Sequence, residues 1–291
     1  MNPNSQQNNS ADIDTLYKIL QPKRLTAVTD IGANPIDGTP PYKNLLDKKL
    51  CTIIGFEPQP AALARLLEHK SDLETYLPYA VGDGREHQLH LCKAPGMTSL
   101  LKPNTKMLSL FNLFSEFGEV TGVENVQTHR LDDISEISVI DFLKIDVQGS
   151  ELSIFQEGRQ KLAKAVCIQT EISFLPLYEN QPTFGEIDAE LRAQGFVPHC
   201  FAQIKRWAIA PTIVNRNPRS GLNQLLEADM VYVRDFSDTR TMDNEQLKHL
   251  TLIAHYCFRS FDLAAYCVLE LTNRKVVNSQ GLPGYYESLR R

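Results

Sequence analysis

From Leu25 to about Asp235, short apolar runs alternate with segments whose apolar residues recur every three or four positions. The runs at 27–31, 52–56, 74–80, 140–145, 166–172, 196–201 and 230–233 predict strands. Several are apolar almost throughout, as strands buried on both faces must be. The segments between them carry helix signals. Pro60 suits a first helical turn, and Leu63, Leu66 and Leu67 then fall on one side. Thr183 and Glu186 form a capping box, Ile187 and Leu191 supply an apolar face, and Gly195 suits a left-handed helix end. Strands alternating with helices in this way predict an α/β fold with a doubly wound sheet and crossover helices. Two shorter strands, 87–92 and 126–130, extend that sheet or form a hairpin beside it.

The pattern changes at both ends. Residues 1–11 are polar and read as a leader, with a short helix over 13–20, so that 1–22 stands outside the 23–236 domain. Residues 236–244 are polar and linker-like, and 237–291 reads as a helical extension. There Leu247, Leu250, Ala254, Phe258 and Phe261 share one face, and Ala264, Cys267, Val268 and Leu271 share another. A helical hairpin packed on the main domain is the expected result, with a homodimer surface as the alternative.

Composition narrows the class. In 291 residues, 42% hydrophobic and 22% charged are the fractions of a globular protein with a sizeable core. A net charge of −5 argues against general nucleic-acid binding. The six cysteines show no CxxC spacing, and Cys51, Cys167 and Cys200 sit inside apolar runs, as buried reduced thiols of a cytoplasmic protein do. The amino-terminal stretch lacks a signal-peptide pattern and no apolar run is long enough to cross a bilayer. The expectation is a soluble, cytoplasmic protein that does not engage membranes.

Four segments carry candidate chemistry. In VTDIGANPIDGTPPY (28–42) a buried strand ends at Asp30 and Ile31, and the chain turns through Gly32, Ala33 and Asn34. Glycine permits the tight turn and lets a ligand approach the backbone, at the strand ends where open α/β sheets bind ligands. A helix is expected to begin near Pro40 or Pro41 with Thr39 as its cap. The GxGxxG dinucleotide fingerprint is absent. In IIGFEPQP (53–60), Glu57 follows an apolar strand and lies 27 positions after Asp30, where an acid can accept hydrogen bonds from both hydroxyls of an adenosine ribose. In YAVGDG (79–84), Gly82 and Asp83 suit contact with an adenine, or an ordinary Gly/Asp turn. In VIDFLKIDVQGSE (139–151), Asp146 ends an apolar strand at the centre of the sheet's rim, with Gly149 opening the next turn; Asp141 and Lys144 mark strand geometry.

The ordered set DIGAN, GFEP, AVGDG, TSL, LDD, KIDVQGSE and IQTEI, spanning residues 25 to about 235, resembles the FkbM branch of S-adenosylmethionine-dependent methyltransferases. The resemblance implies the class I methyltransferase Rossmann-like fold, S-adenosyl-L-methionine as cofactor, and O-methylation of a hydroxyl on a sugar or small-molecule metabolite. Carried over, Asp30, Gly32 and Asn34 would flank the methionine part of the donor. Glu57, with Pro58, would hold the ribose, Gly82 and Asp83 the adenine, and Asp146 would sit beside the reacting centre. Two departures stand out. Pro35, Ile36 and Asp37 replace a shorter step to a second glycine, and Gln148 stands where the family usually has glutamate.

An alcohol acceptor gains from a general base within hydrogen-bond reach. Glu171, at the next strand tip, ranks first, with Asp146 the other catalytic candidate and His199 behind them. Ser99 of the TSL element and His199 are candidate acceptor contacts. Residues 203–226 hold Lys205, Arg206, Arg216, Arg219 and the only tryptophan, Trp207, with no acid among them, which favours an anionic acceptor touching Arg216 and Arg219. The apolar stretch 107–117 is a lid or a core helix. Asp132 or Asp133 would have to converge with Asp146 and Glu171 to hold a metal; no tight ligand spacing appears, and none is expected. A nicotinamide-dependent oxidoreductase and a non-catalytic cofactor-binding scaffold are the rival readings.

Overall fold

The computed structural model describes residues 15–34 and 38–290. The leader at 1–11 and the Pro35–Asp37 step therefore lie outside the described residues.

Among the described residues ten strands form two sheets. They are β1 (Thr26–Ile31), β2 (Cys51–Phe56), β3 (Glu74–Leu77), β4 (Ala80–Gly82), β5 (Glu86–Cys92), β6 (Val120–Arg130), β7 (Phe142–Ile145), β8 (Cys167–Ser173), β9 (Phe196–Arg206) and β10 (Leu225–Arg234). The main sheet runs β3-β2-β1-β7-β8-β10-β9; its first five strands are parallel, while β10 lies antiparallel between β8 and β9. Counted within this sheet alone, the order is 3-2-1-4-5-7-6. The switch point falls between β1 and β7, where ligands of doubly wound sheets bind. The small second sheet, β4-β6-β5, stands beside it. The expected single strand over 74–80 is thus two strands in two sheets, because Pro78 has no amide to donate to a ladder.

The helices are α1 (Thr15–Leu20), α2 (Lys43–Asp47), α3 (Pro60–His69), α4 (Thr105–Leu108), α5 (Phe114–Phe117), α6 (Glu151–Gln156), α7 (Arg159–Leu162), α8 (Phe184–Ala193), α9 (Asn244–Tyr256), α10 (Phe261–Asn273) and α11 (Gly281–Ser288). On one sheet face Ile31, Leu143, Ile145, Ile168 and Tyr232 pack with Ile154, Phe155, Leu162, Ile187 and Leu191 of α6, α7 and α8. On the other, Val28, Ile53, Phe142, Cys167, Val231 and Val233 pack with α1, α2 and the carboxyl-terminal helices α9 to α11. Leu247, Leu250 and Ala254 of the first expected stripe, and all four residues of the second, are buried here. The boundary near residue 236 therefore divides the chain but not the core. Stretch 107–117 makes two short helices rather than one, with Leu108, Phe111 and Phe114 in a third cluster alongside Tyr178 and Trp207.

Local signals had mixed fates. The Thr183–Glu186 capping box is formed, and Gly195 has φ +83°. Helix α2 starts later than expected, after Tyr42, with no side-chain cap. In α3 only Ala62 is buried and Leu67 is exposed, because the helix borders the open edge of the sheet beside β3. All six cysteines are free thiols. Among the described residues no helix is long and apolar enough to cross a membrane.

Candidate active site

The tips of β1 and β7 meet at a glycine. Gly32 has φ +79°, and a Cβ there would lie 2.0 Å from the Asp146 carbonyl oxygen. The approach is fixed by hydrogen bonds. The Asp146 amide donates to Ile31 O at 3.0 Å, and the Gly32 and Ala33 amides donate to Phe56 O at 3.1 and 3.0 Å. Three strand ends, β1, β2 and β7, are drawn together at the switch point.

A cleft opens there, lined by Gly32 and Asn34 from the first turn, Phe56, Glu57 and Pro58 from the second, and Asp146 and Gln148 from the third. Tyr79, Val81 and Leu89 add an apolar wall that suits a planar base. Glu57 is buried, and one carboxylate oxygen accepts from the Gln59 amide at 2.8 Å. Burial pushes its carboxyl above the usual range, partly offset by that amide. Incoming hydroxyl donors would relieve the cost of keeping it ionised. A glycine with no room for a side chain, a buried acid at the next strand tip and an apolar slot beyond it fit an adenosine-bearing cofactor.

Beside the cleft runs a buried polar chain. Gln148, at φ +58°, donates through Nε2 to Asp146 Oδ1 at 2.7 Å and to Glu171 Oε2 at 2.8 Å. Its Oε1 accepts from the Tyr178 hydroxyl at 3.0 Å. Lys205 Nζ lies 3.0 Å from Glu171 and 3.6 Å from Glu227. Burial, with the nearby charges of Glu227 and Asp146, drives the Glu171 carboxyl well above its ordinary range. The loop holding Asp146 and Gln148 is anchored by Glu151, whose carboxylate accepts from the Val147 amide at 3.1 Å and the Gly149 amide at 3.0 Å. Burial lifts Glu151 to about 7.

Asp30 lies behind the turn, bonded to the Tyr42 hydroxyl at 2.6 Å and ion-paired with Lys144 at 3.2 Å. Burial raises its carboxyl. Lys144 also donates to Gly32 O at 3.0 Å, so this pair braces the glycine turn. A lysine inside an apolar strand was the signal, and its partner across the ladder was not readable.

Other expected residues fall elsewhere. Ser99 lines the cleft but is committed to the backbone, donating to Gln148 O at 2.7 Å and accepting from the Leu101 amide at 2.9 Å. Gly82 and Asp83 are not among the lining residues: Gly82 packs on Thr128, and Asp83 binds His87 at 2.7 Å and the Arg85 amide at 3.0 Å, as turn chemistry dictates. His199 sits against Ser260 Oγ at 2.6 Å and is not among the lining residues. Arg216 and Arg219 are exposed outside the cleft, Arg219 over the Phe117 ring at 5.3 Å, so the basis for an anionic acceptor is absent from this site. Asp132 caps α7 through the Gln160 and Lys161 amides and Asp133 faces Arg130, so neither joins Asp146. Tyr178, Glu227 and Lys205 complete the polar chain. The first has no local sequence signal, the second is an acid inside an apolar strand, and the third stood out only as charge.

The methyltransferase FkbM domain family matches residues 30–198. The 2-O-methyltransferase NoeI of Sinorhizobium fredii (strain NBRC 101917 / NGR234) is 32% identical over 167 residues, which is 53% of this chain and 66% of that protein. The chain thus spans just under two thirds of that relative's length. Among solved structures, magnesium protoporphyrin IX methyltransferase of Synechocystis PCC 6803 with bound SAM aligns with TM-score 0.36 and 9% identity, covering 73% of this chain and 71% of that one. Precorrin-6y C5,15-methyltransferase of Geobacter metallireducens GS-15 aligns with TM-score 0.35 and 12% identity, over 76% and 86%. The family match covers more than half of the sequence, and the chain belongs to the FkbM methyltransferase family.

Proposed function

We propose that this chain is an S-adenosyl-L-methionine-dependent O-methyltransferase acting on a hydroxyl group of a sugar or small-molecule metabolite. The observation that carries the reading is the convergence of Gly32, Glu57 and Asp146 on one cleft at the sheet's switch point. The 2-O-methyltransferase name of the relative supports the oxygen acceptor.

When bound, the cofactor supplies an electrophilic methyl group on a sulfonium. The chain's own part is positional and electrostatic. Glu57 accepts the ribose hydroxyls, the Gly32 turn admits the donor against bare backbone, and Asn34 stands at the methionine end. Asp146 is the group that can orient the acceptor hydroxyl and take its proton. Glu171 has both oxygens engaged by Gln148 and Lys205, so it acts through Gln148 as a positioning residue, holding the amide that aims Asp146.

Calorimetric titration of S-adenosylmethionine, S-adenosylhomocysteine and NADH into wild type and Glu57→Ala tests the reading. Hydrogen bonds to a charged acceptor contribute about 1.5–3 kcal/mol each, so the variant should bind S-adenosylmethionine at least about tenfold more weakly. Preference for NADH, or binding of neither cofactor, would overturn the assignment.

A further inference from the structure

The sheet face beneath the carboxyl-terminal helices changes character along its strands. Toward their amino ends it is apolar, with Val28, Phe142 and Cys167 packed under α9 and α10. Two residues further along each strand the same face turns polar, since alternate residues share a side. Asp30, Lys144 and Gln169 stand in register across β1, β7 and β8. Beyond them Glu171, Asp229 and Gln203 are partners across β8, β10 and β9.

Of these residues Asp30, Lys144, Gln169, Asp229 and Gln203 line a cleft of about 1160 Å³, larger than the roughly 300–1,000 Å³ of most small-molecule sites. Cys257 and Phe258, from the connection between α9 and α10, form part of its wall, with Tyr42 from the turn before α2 and Tyr76 of β3. Asn34 and Asp146 line both this cleft and the donor cleft, so the two meet at the carboxylate assigned to the acceptor hydroxyl. Gln169 lines the cleft, is 8% exposed, and its side-chain oxygen has no hydrogen-bond partner. Folded proteins rarely leave a buried acceptor unpaired unless a ligand or water supplies the donor.

The electrostatics select the ligand. Among the described lining residues are Asp30, Asp47, Asp72, Glu74, Asp146 and Asp229, against Lys43, Lys49, Lys144 and His69, with no arginine. Two ion pairs lie within this set, Lys43 with Asp47 and Lys144 with Asp30. Acids thus outnumber bases in the lining even with those pairs formed, so a carboxylate or phosphate entering here would meet a field of like sign, which hydroxyl and ammonium groups would not.

We infer that this cleft, roofed in part by the carboxyl-terminal helices, is the acceptor site and takes a hydroxyl-rich molecule that carries no negative charge. The inference rests on the donor-site reading above. It gives the helical extension a role in substrate binding and makes Gln169 and Gln203 specificity-determining residues.

The test uses the full chain with S-adenosylmethionine and three methyl glycosides, of a neutral hexose, an amino sugar and a uronic acid. Formation of S-adenosylhomocysteine is followed, and donor affinity is measured separately by calorimetry. Turnover of the neutral or amino glycoside in preference to the uronic acid is expected. Gln169→Leu and the surface variant Gln203→Ala should each raise acceptor KM about five- to tenfold, leaving donor Kd within twofold. Preference for the uronic acid, no turnover of any glycoside by protein that binds the donor, or weakened donor binding with unchanged acceptor KM would each overturn the inference. Failure to bind the donor at all would instead bring down the donor-site reading.

Discussion

Gly32→Ala is the sharpest perturbation of this site. The added Cβ would sit 2.0 Å from the Asp146 carbonyl oxygen, in a residue held at φ +79°. An ordinary contact begins about 1.4 Å further out, so β1 and β7 must part at their tips. Holding a non-glycine residue in that backbone region costs about 1–3 kcal/mol. Separating the tips also strains the Asp146 amide bond to Ile31 O at 3.0 Å and the Gly32 amide bond to Phe56 O at 3.1 Å, each worth about 1 kcal/mol. The sum is about 3–5 kcal/mol, which lowers Tm by about 10 °C in a chain of this size. Because Asp146 moves with the tip, methyl transfer should fall by about a hundredfold even where the variant is fully folded. Thermal and urea unfolding read the first effect; donor calorimetry and S-adenosylhomocysteine formation read the second. A variant within 1 kcal/mol of wild type and fully active would refute the close-approach reasoning.

Three further outcomes follow from the same geometry. Gln148→Glu replaces the amide that donates at 2.7 and 2.8 Å to Asp146 and Glu171 by a third carboxylate; kcat at pH 8 should fall about a hundredfold and partly recover as pH is lowered, and a fully active variant with a flat pH profile would be incompatible with the bridge. Glu151 has its carboxyl raised from 4.5 to about 7 by burial, so the fold binds its proton more tightly than the unfolded chain. Its contribution is greatest below pH 4.5 and is lost as pH rises to about 7, by on the order of 3 kcal/mol; the Tm of Glu151→Gln relative to wild type should therefore climb across that window, and parallel curves would count against it. Leu250→Ala removes a fully buried side chain from the core shared by α9 and the sheet, and should cost about 2–5 kcal/mol in one cooperative transition; two separate melts, with the sheet's unchanged, would show that the helices form an independent unit.

The residues around Asp146 are heavily braced. Methyl transfer is sensitive to small misplacements, and the strand tip that carries Asp146 ends in a loop. Gln148, Glu151 and the Gly32 contact each restrain that loop from a different side. Lys144 and Tyr42 do the same for the opposing turn through Asp30.

Much of this was carried by local sequence. Apolar runs fix which segments are strands, because a strand buried on both faces has no polar position to spare. The glycine turn after β1, the acid after β2 and the aspartate after β7 mark the strand ends, since only there does an α/β sheet admit a ligand. The Thr183–Glu186 box is likewise local chemistry, and it formed as read. What the tertiary structure decided was every pairing between distant segments. Glu171 is linked through Gln148 to Asp146, and Lys205 pairs with Glu171 and Glu227, because β8, β9 and β10 are neighbours in a sheet whose order no local pattern encodes. His199, Asp83 and Arg219 had suitable side chains, but Ser260, His87 and Phe117 respectively occupy them away from the cleft lining. The polar half of the sheet face is the clearest case. Asp30, Lys144 and Gln169 are scattered over 140 residues, and only strand register sets them side by side.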